Sequence, residues 1–325
     1  MEDISSSALK SILHSKRANI YYLEHCRVLV NGGRVEYVTE QGRKSFYWNI
    51  PIANTTSVLL GTGSSVSQAA MREFAKAGVQ VGFCGGGGTP LFSANEVDIE
   101  VAWFSPQSEY RPTEYLQAWV RFWFDDALRL EAAKKLQRLR LKLLRRQWLQ
   151  GRALRDQGFA IDADRLDQLL CQSEGNLSHI ADNVALLTEE ARLSKALFAL
   201  AAQAVAYGDF SRVKNGAGAD PANRFLDHGN YLAYGLAATA CWVMGLPHAL
   251  AILHGKTRRG ALVFDVADLV KDAVVLPQAF LSAVAGDDAQ GFRQSCVESL
   301  NRVEALDFMI ESIKEIALTV GVSKS

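Results

Sequence analysis

The chain has 325 residues, of which 49% are hydrophobic, and its 35 basic and 35 acidic residues balance to a net charge of zero. This length accommodates two domains with a substantial core, and the neutral total gives no sign of a nucleic-acid-binding protein. The five cysteines are scattered and lack CxxC spacing, so neither a disulfide framework nor a zinc site is predicted.

Two segments bear on the location of the protein. Residues Met1–Ser5 have no basic or apolar region of the kind that begins a signal peptide. No charged residue occurs from Leu232 to Leu253, a length that could span a bilayer. Gly235, Gly245 and Pro247 interrupt that segment, and it is rich in alanine, so a buried core helix is predicted instead. We therefore expect a cytoplasmic protein without a membrane segment.

The first hundred residues are mainly β-rich runs. Strands are predicted at residues 18–23, 27–30, 34–38, 46–52, 56–60 and 79–83. Asn31–Gly33 is a turn signal that predicts a β-hairpin. One helix is predicted from Val66 to Ala75, with Ser64 or Ser65 as its N-cap and Gly78 at its end.

The hydrophobic period changes to that of helices after a polar stretch, Phe104–Ser108, which contains a proline. Helical patterns follow at residues 115–149, 180–206, 222–244, 261–274 and 297–320. The predicted fold class is therefore α+β. A small N-terminal β-rich domain (residues 1–105) precedes a larger all-helical domain (residues 106–325).

Basic residues are concentrated in one predicted helix, because Arg129–Arg155 contains ten lysines and arginines and a single acid, Glu131. At 100° per residue most of them share one side of the helix, although Arg140 falls outside it. Charge runs usually form a solvated face, but such faces mix signs, and this one favours a polyanion such as DNA. Its contacts would hold phosphates without reading base sequence. We call its four central members the cationic face: Lys134, Arg138, Lys142 and Arg145.

A second cluster carries the chemistry. His254 ends an apolar segment, and Asp265 and Asp268 follow three residues apart in a predicted helix, which places both carboxylates on one side. Carboxylates among aliphatic residues are costly to bury without a compensating cation. One imidazole with two or three carboxylates suits a divalent cation and phosphoryl chemistry. Each feature by itself also has an ordinary structural interpretation. An Asp pair with this spacing commonly interacts with a helix dipole, and a histidine after an apolar segment is commonly a core residue. An anionic substrate could lie against three nearby cations, Lys256, Arg258 and Arg259.

Several motifs follow one another in a fixed order along the chain: Leu60–Ser67, Gly78–Val81, Leu187–Arg192, Pro221–Asp227, Gly245–Pro247, Ile252–His254 and Leu262–Asp268. Together they resemble one protein family, the CRISPR-associated spacer-acquisition integrase. The resemblance covers about residues 18–276, and a stretch at Asp227–Tyr231, with the cationic helix, resembles the I-F subtype.

The resemblance implies that Glu190, His254 and Asp268 bind a metal ion, Mg²⁺ or Mn²⁺. The nitrogen ligand makes Mn²⁺ at least as plausible as Mg²⁺. Asp265 matches an acid that the family has one helical turn earlier, and it is either a further ligand or a group behind the ligands. The family often has glutamate at the position of Asp268. Glu189 is an alternative ligand to Glu190. The spacing to the following apolar residues favours Glu190.

The implied function is spacer acquisition. A captured foreign DNA fragment would attack a phosphodiester of a CRISPR array through its 3′-hydroxyl, and water in its place would give endonuclease activity. The implied partners are double-stranded and branched DNA, a second copy of the chain, and a small ferredoxin-like adaptation protein fused in I-F systems to a helicase-nuclease. The first domain would serve dimerisation and partner binding, and the second catalysis.

Two alternatives stay open at this point. One is a DNA-binding scaffold without catalysis, in which the acids pair with Arg258 and Arg259. The other is a metal-dependent nucleic-acid hydrolase of another pathway. Cleavage of branched DNA that depends on Mn²⁺ and on His254 distinguishes an enzyme from a scaffold. A neighbouring repeat array distinguishes an integrase from a general nuclease.

Overall fold

The computed structural model describes residues 17, 19–42, 44–85, 101–106, 112–213, 220–255 and 260–321. The chain divides into two compact units, Met1–Arg111 and Pro112–Ser325. The predicted division at residue 105 and the roles given to the two domains stay predictions.

The first unit is built on two sheets. Its strands are β1 (Asn19–Leu23), β2 (Cys26–Asn31), β3 (Arg34–Gln41), β4 (Lys44–Asn49), β5 (Thr55–Leu60), β6 (Ser65–Val66), β7 (Gln80–Cys84) and β8 (Val101–Phe104). One sheet has the order β1-β5-β7-β8, with only β8 antiparallel to its neighbour, and the other has the order β4-β3-β2-β6. All six residues of β5 are buried, as expected for a central parallel strand covered on both faces.

The local signals of this unit are confirmed with one exception. Gly32 and Gly33 both have positive φ, 55° and 79°, in the tight turn that joins β2 to β3. Helix α1 (Gln68–Ala77) ends at Gly78, which is left-handed. The predicted N-cap was wrong, because Ser65 pairs with β2 and Ser67 caps the helix by accepting from the Ala70 amide at 3.2 Å.

The described residues of the second unit form helices and connecting loops, with no strand among them. Its helices are α2 (Glu114–Trp123), α3 (Asp126–Arg145), α4 (Arg152–Asp156), α5 (Ala163–His179), α6 (Asn183–Ala204), α7 (Pro221–Val243), α8 (Ala261–Val270), α9 (Leu276–Ala285), α10 (Ala289–Arg302) and α11 (Ala305–Thr319). A π-helical turn, Arg146–Gln150, follows α3, and a second one, Lys271–Val275, joins α8 to α9. The α+β class with its N-terminal β region and helical remainder is therefore confirmed.

Two of the predicted helical patterns are each divided in the structure. The pattern at 115–149 is two helices, because Asp125 accepts from the amides of Ala127 and Leu128 and begins α3 as its N-cap. The pattern at 297–320 is also two helices, separated near Glu304, which has a φ of 52°. Helices α4, α5 and α9 were not predicted.

The buried centre of this unit is α7, which packs against α8, α9 and α11. Asp220 caps it, Pro221 occupies its first turn, and almost every later residue to Trp242 is buried. The uncharged stretch from Leu232 is thus a core helix up to Val243, as predicted. None of the helices in the described ranges has the length and apolar character needed to cross a membrane.

Candidate metal centre

Three side chains from separate segments meet beside α7. Glu190 lies on α6, His254 lies in the loop between α7 and α8, and Asp268 lies on α8. Each offers one ligand atom, and these atoms all lie within 4.8 Å of one another. The structure therefore brings together the three residues that were predicted to bind a metal.

Asp265 holds the loop that carries His254. Its Oδ2 accepts from the amides of Ile252 and Leu253 at 2.7 and 3.1 Å, and its Oδ1 accepts from the His254 amide at 3.0 Å. Its Oδ1 also lies 2.7 Å from His254 Nδ1. An ionised carboxylate only accepts hydrogen bonds, so Nδ1 carries the proton and Nε2 is left as the ligand atom. Asp265 is completely buried, and both of its oxygens contact the segment that carries His254.

Two tryptophans hold the other side of the same loop. Trp119 Nε1 donates to the Leu250 carbonyl at 2.9 Å, and Trp123 Nε1 donates to the Ala251 carbonyl at 2.7 Å. They lie four residues apart on α2 and therefore face the same way. The loop before His254 is fixed through its carbonyls by α2 and through its amides by α8.

Asp268 has one occupied oxygen and one free oxygen. Its side chain is 3% exposed, and its Oδ1 pairs with the Lys271 ammonium one helical turn later. Its Oδ2 is buried, accepts no hydrogen bond within the described structure, and lies 3.7 Å from His254 Nδ1. A buried carboxylate oxygen without a donor is costly unless a cation approaches it.

The two carboxylate oxygens of Glu190 also have different surroundings. Its Oε1 accepts from Arg140 Nη1 at 3.2 Å, whereas its Oε2 lies 3.9 Å from His254 Nε2. Each of the three candidate ligands thus has one atom held by a protein partner and another that faces the cluster. Two carboxylate oxygens and one imidazole nitrogen are donors that suit Mg²⁺ or Mn²⁺, and the residues fit such an ion.

The local charge is also consistent with a divalent cation. Four carboxylates lie here, and among the described side chains that pair with them only Arg140 and Lys271 are permanent cations. With His254 neutral, an excess of two negative charges remains, which one divalent ion would balance. The four acids are Glu190, Asp265, Asp268 and Asp272.

The pKa values reflect this crowding. Burial by itself would lower the pKa of His254, but the hydrogen bond to Asp265 and the charges of Asp268 and Glu190 raise it to about 9. Burial and then repulsion by Asp268 raise the pKa of Glu190. Burial opposes ionisation of Asp268 too, yet Lys271, His254 and Arg140 together lower its pKa. Without a metal ion, a proton on His254 supplies part of the missing positive charge.

Comparisons with known proteins decide the family. The family described as CRISPR associated protein Cas1 matches residues 21–285. The chain belongs to the Cas1 family.

Similar proteins cover nearly the whole chain. The CRISPR-associated endonuclease Cas1 of Pseudomonas aeruginosa (strain UCBPP-PA14) is 69% identical over 99% of this chain and 100% of its own length. The CRISPR-associated endonuclease Cas1 of Pectobacterium atrosepticum is 63% identical over 96% of each chain. Among solved structures, TtCas1 in its complex with DNA has a TM-score of 0.61 at 20% identity and covers 94% of both chains, which shows a shared fold. The I-F subtype stays a prediction.

Glu189 does not face the cluster of this Cas1 chain. It accepts from Ser173 Oγ at 2.5 Å and from Asn176 Nδ2 at 3.0 Å, and it pairs with Arg192 at 2.6 Å. These partners lie on α5 and one turn along α6. The two adjacent glutamates therefore belong to different networks, as the difference of 100° between neighbouring helical positions requires.

The predicted cationic face is only partly free. Lys134 is buried with its ammonium 3.6 Å from Glu131, and Arg145 pairs with Asp167 and, at 3.6 Å, with Glu174. Arg138 and Lys142 are exposed, and neither forms an ion pair with another residue in the described ranges. Lys134 was predicted to bind DNA together with the other three, but the fold covers its side chain. The other predicted DNA-binding residues, Lys256, Arg258 and Arg259, lie outside the described residues.

Sequence reasoning missed the cations and the acid that complete the cluster. Arg140 had been noted only because it interrupted the cationic side of its helix. That interruption was the available signal, since an arginine on the apolar side of a helix has to meet acids inside the fold. Lys271 and Asp272 follow Asp268 by three and four residues, a spacing that places them on the same side of a helix.

Proposed function

We propose that this chain is a metal-dependent DNA endonuclease and integrase that inserts captured DNA fragments into a CRISPR array. Membership of the Cas1 family, the endonuclease names of its relatives and the DNA bound to TtCas1 support this assignment. The observation that carries it is the cluster of Glu190, His254 and Asp268, in which a buried Asp268 oxygen lacks a hydrogen-bond donor.

The residues of the cluster would hold Mg²⁺ or Mn²⁺ through Glu190 Oε2, His254 Nε2 and Asp268 Oδ2. The bound ion supplies a Lewis acid that polarises a scissile phosphodiester and stabilises the charge that develops on the leaving oxygen. Asp265 keeps the imidazole in the tautomer that leaves Nε2 available. Arg140 and Lys271 offset part of the negative charge and, with His254, lower the pKa of Asp268 despite its burial.

The partners follow from the same proposal. The substrates are double-stranded and branched DNA, and the nucleophile is the 3′-hydroxyl of a captured fragment. A second copy of the chain would form the homodimer, and a small ferredoxin-like adaptation protein, fused to a helicase-nuclease in an I-F system, would join it. The β-rich unit would make these protein contacts and the helical unit would carry the chemistry.

The test removes the ligands one at a time. We expect His254→Ala and Asp268→Ala each to abolish Mn²⁺-dependent cleavage of branched DNA, because they remove donors to the ion, while DNA binding persists. The loss should be several kcal/mol of transition-state stabilisation, or about 100-fold and more in rate. Asp268→Asn keeps the shape of a buried side chain and serves where the alanine variant folds poorly. His179→Ala is the control, since this histidine is exposed at the end of α5.

Two outcomes would contradict the assignment. Wild-type cleavage rates in folded His254→Ala or Asp268→Ala would remove the metal site, and DNA binding without any cleavage by the wild type would indicate a scaffold. Integration is checked separately with a labelled fragment that ends in a 3′-hydroxyl or in a 3′-dideoxynucleotide. Joining to a repeat-containing duplex should occur only with the hydroxyl.

A further inference from the structure

Arg140 is a buried cation whose hydrogen-bonding capacity is fully used. Its Nε donates to Asp272 at 2.7 Å, its Nη1 donates to Gln137 at 3.0 Å and to Glu190 at 3.2 Å, and its Nη2 donates to Ser194 at 3.0 Å. Nη2 also pairs with Asp272. All five N–H groups of the guanidinium therefore face an acceptor. A side chain held at this many points has one position.

That position determines where the Glu190 carboxylate lies. Glu190 has three rotatable side-chain bonds, and its charge is repelled by Asp268, which contributes to its raised pKa. Without a partner, the carboxylate would turn away from Asp268. Arg140 holds Oε1 and thereby leaves Oε2 directed at His254.

Asp272 anchors Arg140 from the other side. It lies in the π-helical turn after α8, and its side chain is 11% exposed. Nε and Nη2, which form one edge of the planar guanidinium, both contact Asp272 Oδ2. The turn that follows Asp268 on the chain thus reaches across to α3 and, through Arg140, to Glu190 on α6.

We infer that Arg140, anchored by Asp272, is a positioning residue that holds Glu190 in place to bind the metal ion. The inference rests on the proposed function, because it assigns a role within the same site. Arg140 donates to a ligand and does not itself bind the ion.

Removal of Arg140 should have two opposite effects on the affinity for the metal ion, one through its charge and one through its hold on Glu190. A guanidinium next to a metal site repels the ion, so an electrostatic effect alone would make binding tighter after its removal. If Glu190 is no longer held in place, the metal ion should bind more weakly. Removal of Arg140 together with Asp272 leaves the net charge of the cluster unchanged and isolates the effect of position. It also leaves neither charge buried alone, and apolar replacement of both partners of a buried ion pair is tolerated in folded proteins.

The experiment is a calorimetric Mn²⁺ titration of the full chain without DNA, together with its thermal unfolding. We expect Arg140→Met/Asp272→Leu to stay folded and to bind Mn²⁺ about 10- to 100-fold more weakly than the wild type. Arg140→Lys keeps the charge but not the planar fork, so its affinity should also fall. The matched control is Arg192→Met/Glu189→Leu, which removes the neighbouring ion pair of α6 and should leave the Mn²⁺ affinity unchanged.

The results separate this inference from the proposed function. Wild-type Mn²⁺ affinity in both folded Arg140 variants would overturn the positioning role and leave the metal site standing. Tighter binding in the double variant would overturn it as well. A wild type that binds no Mn²⁺, or binding that survives His254→Ala, would overturn both.

Discussion

His254 contributes one ring nitrogen to the site because Asp265 engages the other. In the metal-free protein these contacts raise the pKa of His254 from 6.5 to about 9. The folded state therefore binds the proton more tightly than the unfolded state does. The resulting stabilisation is fully present below about pH 6.5 and is lost as the pH rises through about 9.

This shift predicts how stability depends on pH. Without metal ions, the wild type should exceed His254→Gln in thermal midpoint at pH 6, and the difference should shrink steadily up to pH 9 or slightly above. Thermal unfolding of both proteins in chelator-treated buffers measures this difference in midpoint at each pH. A difference that stays constant or grows with pH would mean that the charged imidazole does not stabilise the fold.

The two adjacent glutamates give the sharpest comparison between single side chains. Glu190→Gln removes a ligand oxygen of the cluster and should lower Mn²⁺-dependent cleavage about 100-fold or more. Glu189→Gln weakens only a network with Ser173, Asn176 and Arg192, and it should cost about 1 kcal/mol of stability with little change in cleavage. Parallel cleavage assays and unfolding curves test both. The opposite ranking in cleavage would move the ligand role to Glu189.

At the scale of elements, helix α3 shows what periodicity could and could not predict. The helical pattern and its basic side were clear in the sequence, but the interruption at Asp125 was not, because aspartate also occurs within helices. The inward direction of Arg140 depends on acids that lie 50 and 132 positions further along the chain. The candidate ligands were predicted because their motifs resemble a family, whereas the side chains that hold two of them, Arg140 and Lys271, carry no such local pattern.

Helix α7 and the π-helical turn Lys271–Val275 approach each other closely at Gly229. A Cβ at this position would lie 2.4 Å from Val275 Cγ1 and 3.1 Å from Phe292 Cζ. Gly229→Ala should therefore destabilise the fold by about 1–3 kcal/mol through overpacking, although alanine is the better helix former. Val275→Ala removes the nearest methyl group, so the double variant should recover part of the loss. Urea unfolding measures both, and an unchanged or raised stability of Gly229→Ala would show that the two elements can separate without cost.

At the scale of the whole molecule, the net charge of zero conceals an uneven distribution. The basic residues of α3 have three different kinds of surroundings. Arg140 is neutralised inside the cluster, Lys134 and Arg145 are neutralised by neighbouring acids, and Arg138 and Lys142 remain exposed. A count of charges along the sequence could not distinguish these states, because each depends on which residues fold against the helix.

Of the four residues of the cationic face, only the exposed pair is expected to bind DNA directly. Arg138 and Lys142 lie four residues apart on α3 and face the same way. Arg138→Glu/Lys142→Glu should weaken binding to two unrelated duplexes equally, because phosphate contacts carry no base information. Each lost phosphate contact should also reduce the slope of log affinity against log salt by about one. The control is Arg72→Glu/Lys76→Glu on α1, which changes the net charge by the same amount at another exposed helix. If both double variants weakened binding alike, the total charge would account for the effect, whereas an unchanged slope in the first would show that this side of α3 does not meet DNA.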